Sequence, residues 1–400
     1  MKVQEYGDWS LGIHQRLSTK RIPISGSIEL TQRCNNQCVH CYNNLSVGDQ
    51  KAREEELTFD EYRSIIDEIV DAGCLWLLLT GGEILIRKDF FDLYVYARQK
   101  GLLITLFTNG TRVTSEIADQ LAQLPPFALE ITIYGHTKET YESITKVPGS
   151  YDRCIKGVNL LMVRKLPLKL KTMAITANRH EIQDMKQFVE EDLGLEFKFD
   201  AMINPRLDCS QSPLEVRLTP AEVVELDLQY PDRVSEWQCF ADRFNMVDSH
   251  PDRANNLYVC GAGNNSFAID PYGRLSVCVL SSADSYNLRK GSFKEGWDNY
   301  LAAERQKSVS RHTKCTNCRL KSICGMCPAN SELECSDAEA PVDFLCQVAH
   351  LRAHTLDIPM ASHGECEYCE GGSRYAEMME TAERMKERSL NKVKPCSPNL

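Results

Sequence analysis

Between Ile28 and Ala201 the chain repeats one pattern six times, a short apolar run followed by an amphipathic stretch. The apolar runs lie at 27–31, 74–80, 102–108, 127–133, 168–175 and 196–201. Residues 74–79 are apolar at every position, as a parallel strand covered on both faces must be. Thr58 precedes the first amphipathic stretch as an N-cap. Glu61, three residues on, stands at capping-box spacing. Tyr62, Ile65, Ile66, Ile69 and Val70 then form one helical stripe. Stretches 88–100, 115–124, 151–165 and 179–192 repeat the theme. Six β/α units joined by right-handed crossovers predict an α/β fold, a partial (β/α)6 TIM-like barrel that stays open.

In such a sheet the chemistry sits beyond the carboxyl ends of the strands. The first run is followed directly by Cys34-x3-Cys38-x2-Cys41, and the second by Thr80-Gly81-Gly82-Glu83. Thr108-Asn109-Gly110 follows the third, while Thr132 and Tyr134-Gly135 end the fourth. All four segments fall on one rim. Three thiolates on one loop can hold a [4Fe–4S] cluster by three irons and leave the fourth open to a chelating small molecule. A zinc site would ordinarily take four ligands from paired C-x2-C knuckles. Gly81-Gly82 alone could be a tight strand-to-helix turn; beside the cysteine loop it reads as part of a ligand site.

The 400 residues contain 18 cysteines. In a reducing compartment so many point to metal or redox work rather than to disulfides. Most of those outside the first loop lie between Cys239 and Cys369, so a second metal-rich region is expected. The residues divide into an N-terminal arm (1–25), the barrel (26–201), a bridge marked by Asn204-Pro205, Ser212-Pro213 and Thr219-Pro220 (202–238), a second domain (239–358) and a tail (359–400). A short helix is expected near 220–228, and a hairpin over 268–277 with its turn at Asp270–Gly273. The tail should carry a helix with Tyr375, Met378, Met379, Ala382 and Met385 on one face. The second domain shows little periodicity, as a small irregular fold organised by its metals would. A net charge of −10 speaks against nucleic-acid or anionic-membrane binding. No apolar h-region or membrane-length run is present, so a cytoplasmic protein is expected.

In the second domain Cys260-x12-Gly273-x4-Cys278 is followed by Cys315-x2-Cys318-x5-Cys324-x2-Cys327 and then Cys346. Zinc-ribbon knuckles would account for Cys315 to Cys327 alone. Cys366-Glu367-Tyr368-Cys369 and Cys396 lie outside this pattern. They fit either extra ligands or a thiol pair carried over the active site by a mobile tail, or a redox-inert surface pair on a disordered segment, the reading taken here. Cys74, Cys154, Cys209 and Cys335 read as ordinary small buried residues. His350 and His354 read as two residues of a terminal helix rather than as a metal pair.

The cysteine loop together with Gly81-Gly82-Glu83 resembles the radical SAM superfamily, and the later cysteines resemble its SPASM extension in peptide maturases. The resemblance implies that Cys34, Cys38 and Cys41 hold the cluster whose open iron binds S-adenosylmethionine. It implies that Gly81, Gly82 and Glu83 lie beside the methionyl amine, His40 beside the adenine, and Thr132 near the ribose. It further implies two auxiliary [4Fe–4S] clusters, one on Cys260, Cys278 and Cys327 and one on Cys315, Cys318, Cys324 and Cys346. Two residues, rather than the family's usual three, precede Cys327. Cys239 is the possible extra ligand of the first auxiliary cluster, which is otherwise left with an open iron. By position, Glu130, Tyr134, Asp200 and Arg206 are the candidate acids and bases.

The implied activity is reductive cleavage of S-adenosylmethionine, followed by oxidation of a ribosomally made peptide through a thioether, C–C or C–O link or a dehydrogenation. Expected partners are a precursor peptide and an electron donor such as flavodoxin or ferredoxin. Only 33 residues precede Cys34, too few for a winged-helix leader-binding domain, so a separate leader-binding protein or another surface is expected. Alternatives on the same layout are tetrapyrrole side-chain oxidation and dehydrogenation of a protein by a sulfatase-maturating type of enzyme. From another class come a non-catalytic iron–sulfur electron carrier and a zinc-binding scaffold, neither of which needs a ligand-binding iron.

Overall fold

The computed structural model describes residues 6–17, 20–244, 256–281, 284–360 and 365–388. Cys396 lies outside the described residues. No helix among the described residues is long and apolar enough to cross a membrane. The chain forms two compact units, one of residues 1–217 and 260–306, the other of 218–259 and 307–400.

The first unit is built on strands β1 (Ser25–Thr31), β2 (Arg33–Cys34), β3 (Leu45–Ser46), β4 (Trp76–Gly81), β5 (Leu103–Thr108), β6 (Ala128–Thr132), β7 (Leu168–Met173), β8 (Glu196–Asp200), β9 (Ser266–Ile269), β10 (Arg274–Ser276) and β11 (Tyr286–Asn287). The six expected strands are β1 and β4 to β8, each pair of neighbours parallel and in sequence order. The order ends at β8 without returning to β1, so the barrel is open. Burial alternates along β5 and β7, which buries Ile104, Leu106, Leu168 and Leu170 on one face. The other face carries half-buried Phe107, Lys169 and Lys171.

The helix Phe59–Asp71 starts where the sequence places it. Thr58 caps the Glu61 amide and Glu61 returns to the Thr58 amide. Tyr62, Ile65, Ile66 and Ile69 of its stripe are buried, while Val70 is half-buried. The N-terminal arm contains a helix, Tyr6–Leu17. Its Trp9 packs edge-on against Trp76 at 5.6 Å and its Tyr6 lies 4.9 Å from Phe127, so aromatic rings cover the amino-terminal ends of β4 and β6.

The hairpin forms as expected, with Leu275 opposite Ile269 and the Asp270 carboxylate accepting the amides of Tyr272 and Arg274, each at 2.9 Å. Its position differs from the expected division at 239. β9 pairs in parallel with β1, Ser25 opposite Ser266, so residues 260–306 extend the barrel sheet. The bridge is divided too, since residues up to Arg217 belong to the first unit.

The second unit carries more regular structure than its weak periodicity suggested. Its helices include Pro220–Leu228, Pro231–Phe244, Pro328–Cys335, Asp343–Thr355 and Tyr375–Arg388. The first has a Thr219–Glu222 capping box and Pro at its first turn. Helix Asp343–Thr355 is buried on nearly every side. In its last turn Arg352 donates to the Asp227 carboxylate at 2.7 Å, and Arg233 reaches the other oxygen at 2.7 Å. The indole of Trp237 stacks 3.7 Å from the Arg352 guanidinium carbon. Met378, Ala382 and Met385 of the last helix are buried, the face expected.

Candidate active site

The three loop cysteines follow β1 directly. Cys34 closes β2, whose pairing with β3 bends the chain back so that the loop between them is anchored at both ends. A buried ion network fixes the entry: Arg33 donates to both oxygens of Glu56 at 2.8 and 2.9 Å, Arg87 reaches the same carboxylate at 3.4 Å, and the Thr31 hydroxyl joins it. At the exit Glu29, buried on β1, accepts Asn43 at 2.7 Å and Tyr42 at 2.9 Å. Burial pushes the Glu29 carboxyl up to about 7. Midway, the amides of Gln37 and Val39 donate to the carbonyls of Thr145 and Ile144.

The donor set fits an iron–sulfur cluster. Burial pushes the Cys34 thiol up to about 12 and the Cys38 thiol well above its ordinary value, and the neighbouring cysteines raise both further. One buried and two half-buried sulfurs on one loop can be thiolates together only around a cation. The Asn36 amide at 3.4 Å and the Asn109 side chain at 3.6 Å point N–H groups at the Cys34 sulfur, the outer contacts that stabilise a bound thiolate.

Gly81 and Gly82 are glycines for a reason the sequence does not display. A Cβ on Gly81 would stand 2.2 Å from the Thr31 carbonyl oxygen, and one on Gly82 would stand 2.3 Å from that of Arg33. Gly81 also has φ +129°. The segment lies flat against the strand that delivers Cys34, with Gly82 and Glu83 donating their amides to Thr31 and Arg33.

Glu83 follows directly on β4 and Gly82. It is fully buried, and both carboxylate oxygens meet protein donors: the Leu85 amide at 3.0 Å, the Thr108 hydroxyl at 2.7 and 2.9 Å, and the Asn109 amide at 2.7 Å. The carboxylate therefore ties the end of β4 to the end of β5. Asn109, placed by this contact, reaches Asn35 at 3.2 Å as well as Cys34. The sequence puts Glu83 and Asn109 on one rim; their mutual contact is what it could not show.

His40 lies between Cys38 and Cys41, its ring 5.0 Å from Tyr134, with Nδ1 buried and without a hydrogen-bond partner in the structure. Burial lowers its pKa to about 4, so it is a neutral ring with one nitrogen left for a ligand. Thr132 ends β6 half-buried, in register with Lys171.

The four acid–base candidates separate. Tyr134 is buried between His40 and Tyr141, and its hydroxyl bonds to the Cys38 sulfur. Burial, then the neighbouring Cys38, raises its pKa well above the ordinary value, so it supports the loop as a neutral phenol. Arg206 donates to the Asn44 side chain at 2.8 Å, the Asn44 carbonyl at 3.1 Å and the Cys41 carbonyl at 3.3 Å. It clamps the loop and brings a positive charge to Cys41. Asp200 is exposed and turns back to the Met202 amide. Glu130 is the one that faces the half-open side of the sheet. It forms a 2.8 Å ion pair with Lys171, whose ammonium stands 3.0 Å from the centre of the Phe107 ring. Burial lowers the Lys171 pKa. Lys171 was missed from sequence, where alternation with Leu170 and Thr172 makes it look like a solvent residue.

In the second unit Cys315 and Cys346 are hydrogen-bonded, which holds Cys315 below its ordinary pKa and Cys346 above. Cys318 and Cys324 are both raised, burial first and then the charge of Cys315 among the causes. Each of the four therefore feels the charge of, or bonds to, at least one other. Cys327 caps helix Pro328–Cys335, its sulfur accepting the Asn330 amide at 3.4 Å. Cys260 is exposed and Cys278 half-buried, both in the first unit. Cys239 lies on helix Pro231–Phe244 of the second unit. Cys366 and Cys369 are buried, against the expectation of a surface pair. Cys209 and Cys335 are exposed, whereas Cys74 and Cys154 are buried as expected.

Residues 28–189 match the radical SAM superfamily. Over 322 residues the chain is 25% identical to the AdoMet-dependent heme synthase of Methanosarcina barkeri, covering 76% of this chain and 90% of that protein. It is 26% identical to the mycofactocin maturase MftC of Mycolicibacterium smegmatis over 74% of this chain and 75% of that protein. The fold resembles that of Streptococcus suis SuiB bound to the precursor peptide SuiA, with a TM-score of 0.65 at 16% identity over 86% of this chain and 82% of SuiB. Residues 28–189 therefore form a radical SAM domain, which implies a [4Fe–4S] cluster and S-adenosylmethionine, and the chain is an enzyme of radical oxidative chemistry that resembles the SPASM-type peptide maturases.

Proposed function

We propose that the enzyme oxidises a ribosomally made peptide, with its radical site at Cys34, Cys38 and Cys41 and two auxiliary clusters as electron acceptors. The observation that carries the radical site is the common rim of the cysteine loop, Gly81-Gly82 and His40 at the carboxyl ends of parallel strands. Bound there, a cluster with one open iron supplies the electron that splits S-adenosylmethionine into methionine and a 5′-deoxyadenosyl radical. The chain's part is to hold that reaction in place. Arg206 and Glu29 fix the loop, the unpartnered nitrogen of His40 faces the adenine, and Thr132 meets the ribose. Glu83 acts as a positioning residue through Thr108 and Asn109.

Once a hydrogen atom has left the substrate carbon, the substrate radical has one electron to lose and one proton to release. Cys315, Cys318, Cys324 and Cys346 hold one acceptor cluster, and the other belongs to the first auxiliary set that the sequence implies. The Glu130–Lys171 pair on the half-open face is suited to take the proton. The mycofactocin maturase and SuiB support a peptide as the substrate. An electron donor such as flavodoxin or ferredoxin and a separate leader-binding protein complete the proposal.

A second reading has its own support in the heme synthase relative, which spans most of both chains. It makes the substrate a tetrapyrrole whose side chain is oxidised. The test uses anaerobically reconstituted protein, dithionite and S-adenosylmethionine. About twelve irons per chain, as three cubane clusters require, and release of 5′-deoxyadenosine are expected. Small peptides encoded beside the gene and iron coproporphyrin III are then offered separately. A peptide that loses two hydrogen atoms supports the first reading. Turnover of the porphyrin alone replaces it with the second, and zinc in place of iron with no nucleoside formed sinks both.

A further inference from the structure

We propose that Cys366, Cys369 and His350 of the second unit hold a single zinc ion, separate from the iron–sulfur ligands. All three residues are buried, at 5%, 4% and 2% exposure. The His350 Nε2 lies 3.6 Å from the Cys366 sulfur and 3.5 Å from the Cys369 sulfur, and the three ligand atoms lie within 4.8 Å of one another. Among the described residues, no other group of three His, Cys, Asp or Glu side chains brings its ligand atoms so close.

These separations select one ion rather than a cluster. Zinc–sulfur bonds of about 2.3 Å and zinc–nitrogen bonds of about 2.0 Å, set at a tetrahedral angle, put sulfur and nitrogen roughly 3.6 Å apart. The two observed sulfur–nitrogen distances match that edge. Thiolates on different irons of a cubane are held further apart by the cluster itself. The imidazole is oriented as well. Its Nδ1 lies 2.7 Å from the Cys346 carbonyl, so Nδ1–H donates there and the Nε2 lone pair faces the thiols, the second-shell arrangement of zinc-bound histidines.

The chain between the two cysteines is a tight knuckle. The Cys369 amide donates to the Cys366 carbonyl at 3.2 Å, and the Gly372 amide to the Cys369 carbonyl at 2.8 Å. A Cβ on Gly372 would stand 2.4 Å from the Cys366 carbonyl oxygen, so the turn admits no side chain there. Neither cysteine is in a disulfide. Zinc entry releases the two thiol protons. The ion would fasten the chain around 366–369 to helix Asp343–Thr355, one turn beyond Cys346. This inference is independent of the choice between peptide and tetrapyrrole.

The test uses full-length protein reconstituted with iron and sulfide, so that the iron–sulfur thiols are occupied, then dialysed against a weak chelator. About one zinc per chain should remain, with a zinc-edge X-ray absorption spectrum of two sulfurs near 2.3 Å and nitrogen or oxygen near 2.0 Å. The double variant C366S/C369S should lose the zinc and keep the iron. The spectrum of the unaltered protein keeps the proposal falsifiable if that variant does not fold. Zinc absent from the unaltered protein, a shell of four sulfurs, a Cys366–Cys369 disulfide, or loss of iron instead of zinc in the variant would each overturn it.

Discussion

The amide of Gln37 donates to the carbonyl of Thr145 at 2.9 Å. That bond, with Val39 to Ile144 beside it, rests the cysteine loop on the carboxyl end of helix Lys138–Thr145. The other end of the same helix is held by Glu181, which accepts the amides of His136 and Thr137 and the hydroxyls of Thr137 and Thr140. The cysteine loop therefore leans, through this helix, on a carboxylate far from it in sequence.

Glu181 gives the loop an acid-sensitive support. Burial alone would raise its pKa, but the hydrogen bonds from Thr140, Thr137 and the backbone outweigh it and the value is lowered. A lowered carboxyl adds stability above the ordinary glutamate range, and that stability is lost as pH falls through the folded value. In iron-free protein, E181Q should flatten the acid limb of melting temperature against pH while costing stability at pH 7. An acid limb identical to that of the unaltered protein would contradict this.

Glu83→Gln tests whether the carboxylate positions the rim or touches the ligand directly. Gln cannot accept on both atoms, so the variant strands a buried donor from Thr108 or Asn109 at about 1–3 kcal/mol. The melting temperature of iron-free E83Q should drop along with the rate of 5′-deoxyadenosine formation. Lost S-adenosylmethionine binding at unchanged melting temperature would return Glu83 to direct ligand contact.

Gly82→Ala should be worse than its size suggests. The added carbon meets the Arg33 carbonyl, a backbone atom that cannot swing away. Overpacking of this kind costs about 3 kcal/mol, and here the strain falls on the strand that carries Cys34. The check is iron content after reconstitution: about four irons fewer per chain is expected, as for one lost cubane.

Arg206→Lys should keep the charge near Cys41 but lose the fork that reaches Asn44 and Cys41 together. Reconstituted R206K should lose its oxygen-labile cluster faster, and R206A faster still. A charge-assisted hydrogen bond of about 1.5–3 kcal/mol corresponds to roughly ten- to a hundredfold. Equal loss rates for all three proteins would mean that the clamp is incidental.

What the sequence made legible is what local pattern encodes. The six parallel strands, the Thr58 cap, the helix near 220–228, the 268–277 hairpin and the Met-lined last helix all follow from periodicity and turn chemistry within a few residues. Helix Lys138–Thr145 went unseen because only Tyr141 and Ile144 mark its apolar face. Glu29 and Lys171 look like ordinary polar positions until their partners are known. His350 reads as a helix residue because the thiols it meets come from a turn beyond the helix. The pairing of β9 with β1 leaves no local trace at all.

That last pairing orders events in time. As the chain leaves the ribosome, β1 gains β4 early, but its other side stays a bare row of amides and carbonyls until residue 266 has been made. The strand that delivers Cys34 is thus one-sided through most of synthesis. Iron should be taken up stably only after the hairpin has docked, so a ribosome stalled before residue 266 would present a nascent chain with every radical-site cysteine translated and no lasting hold on a cluster.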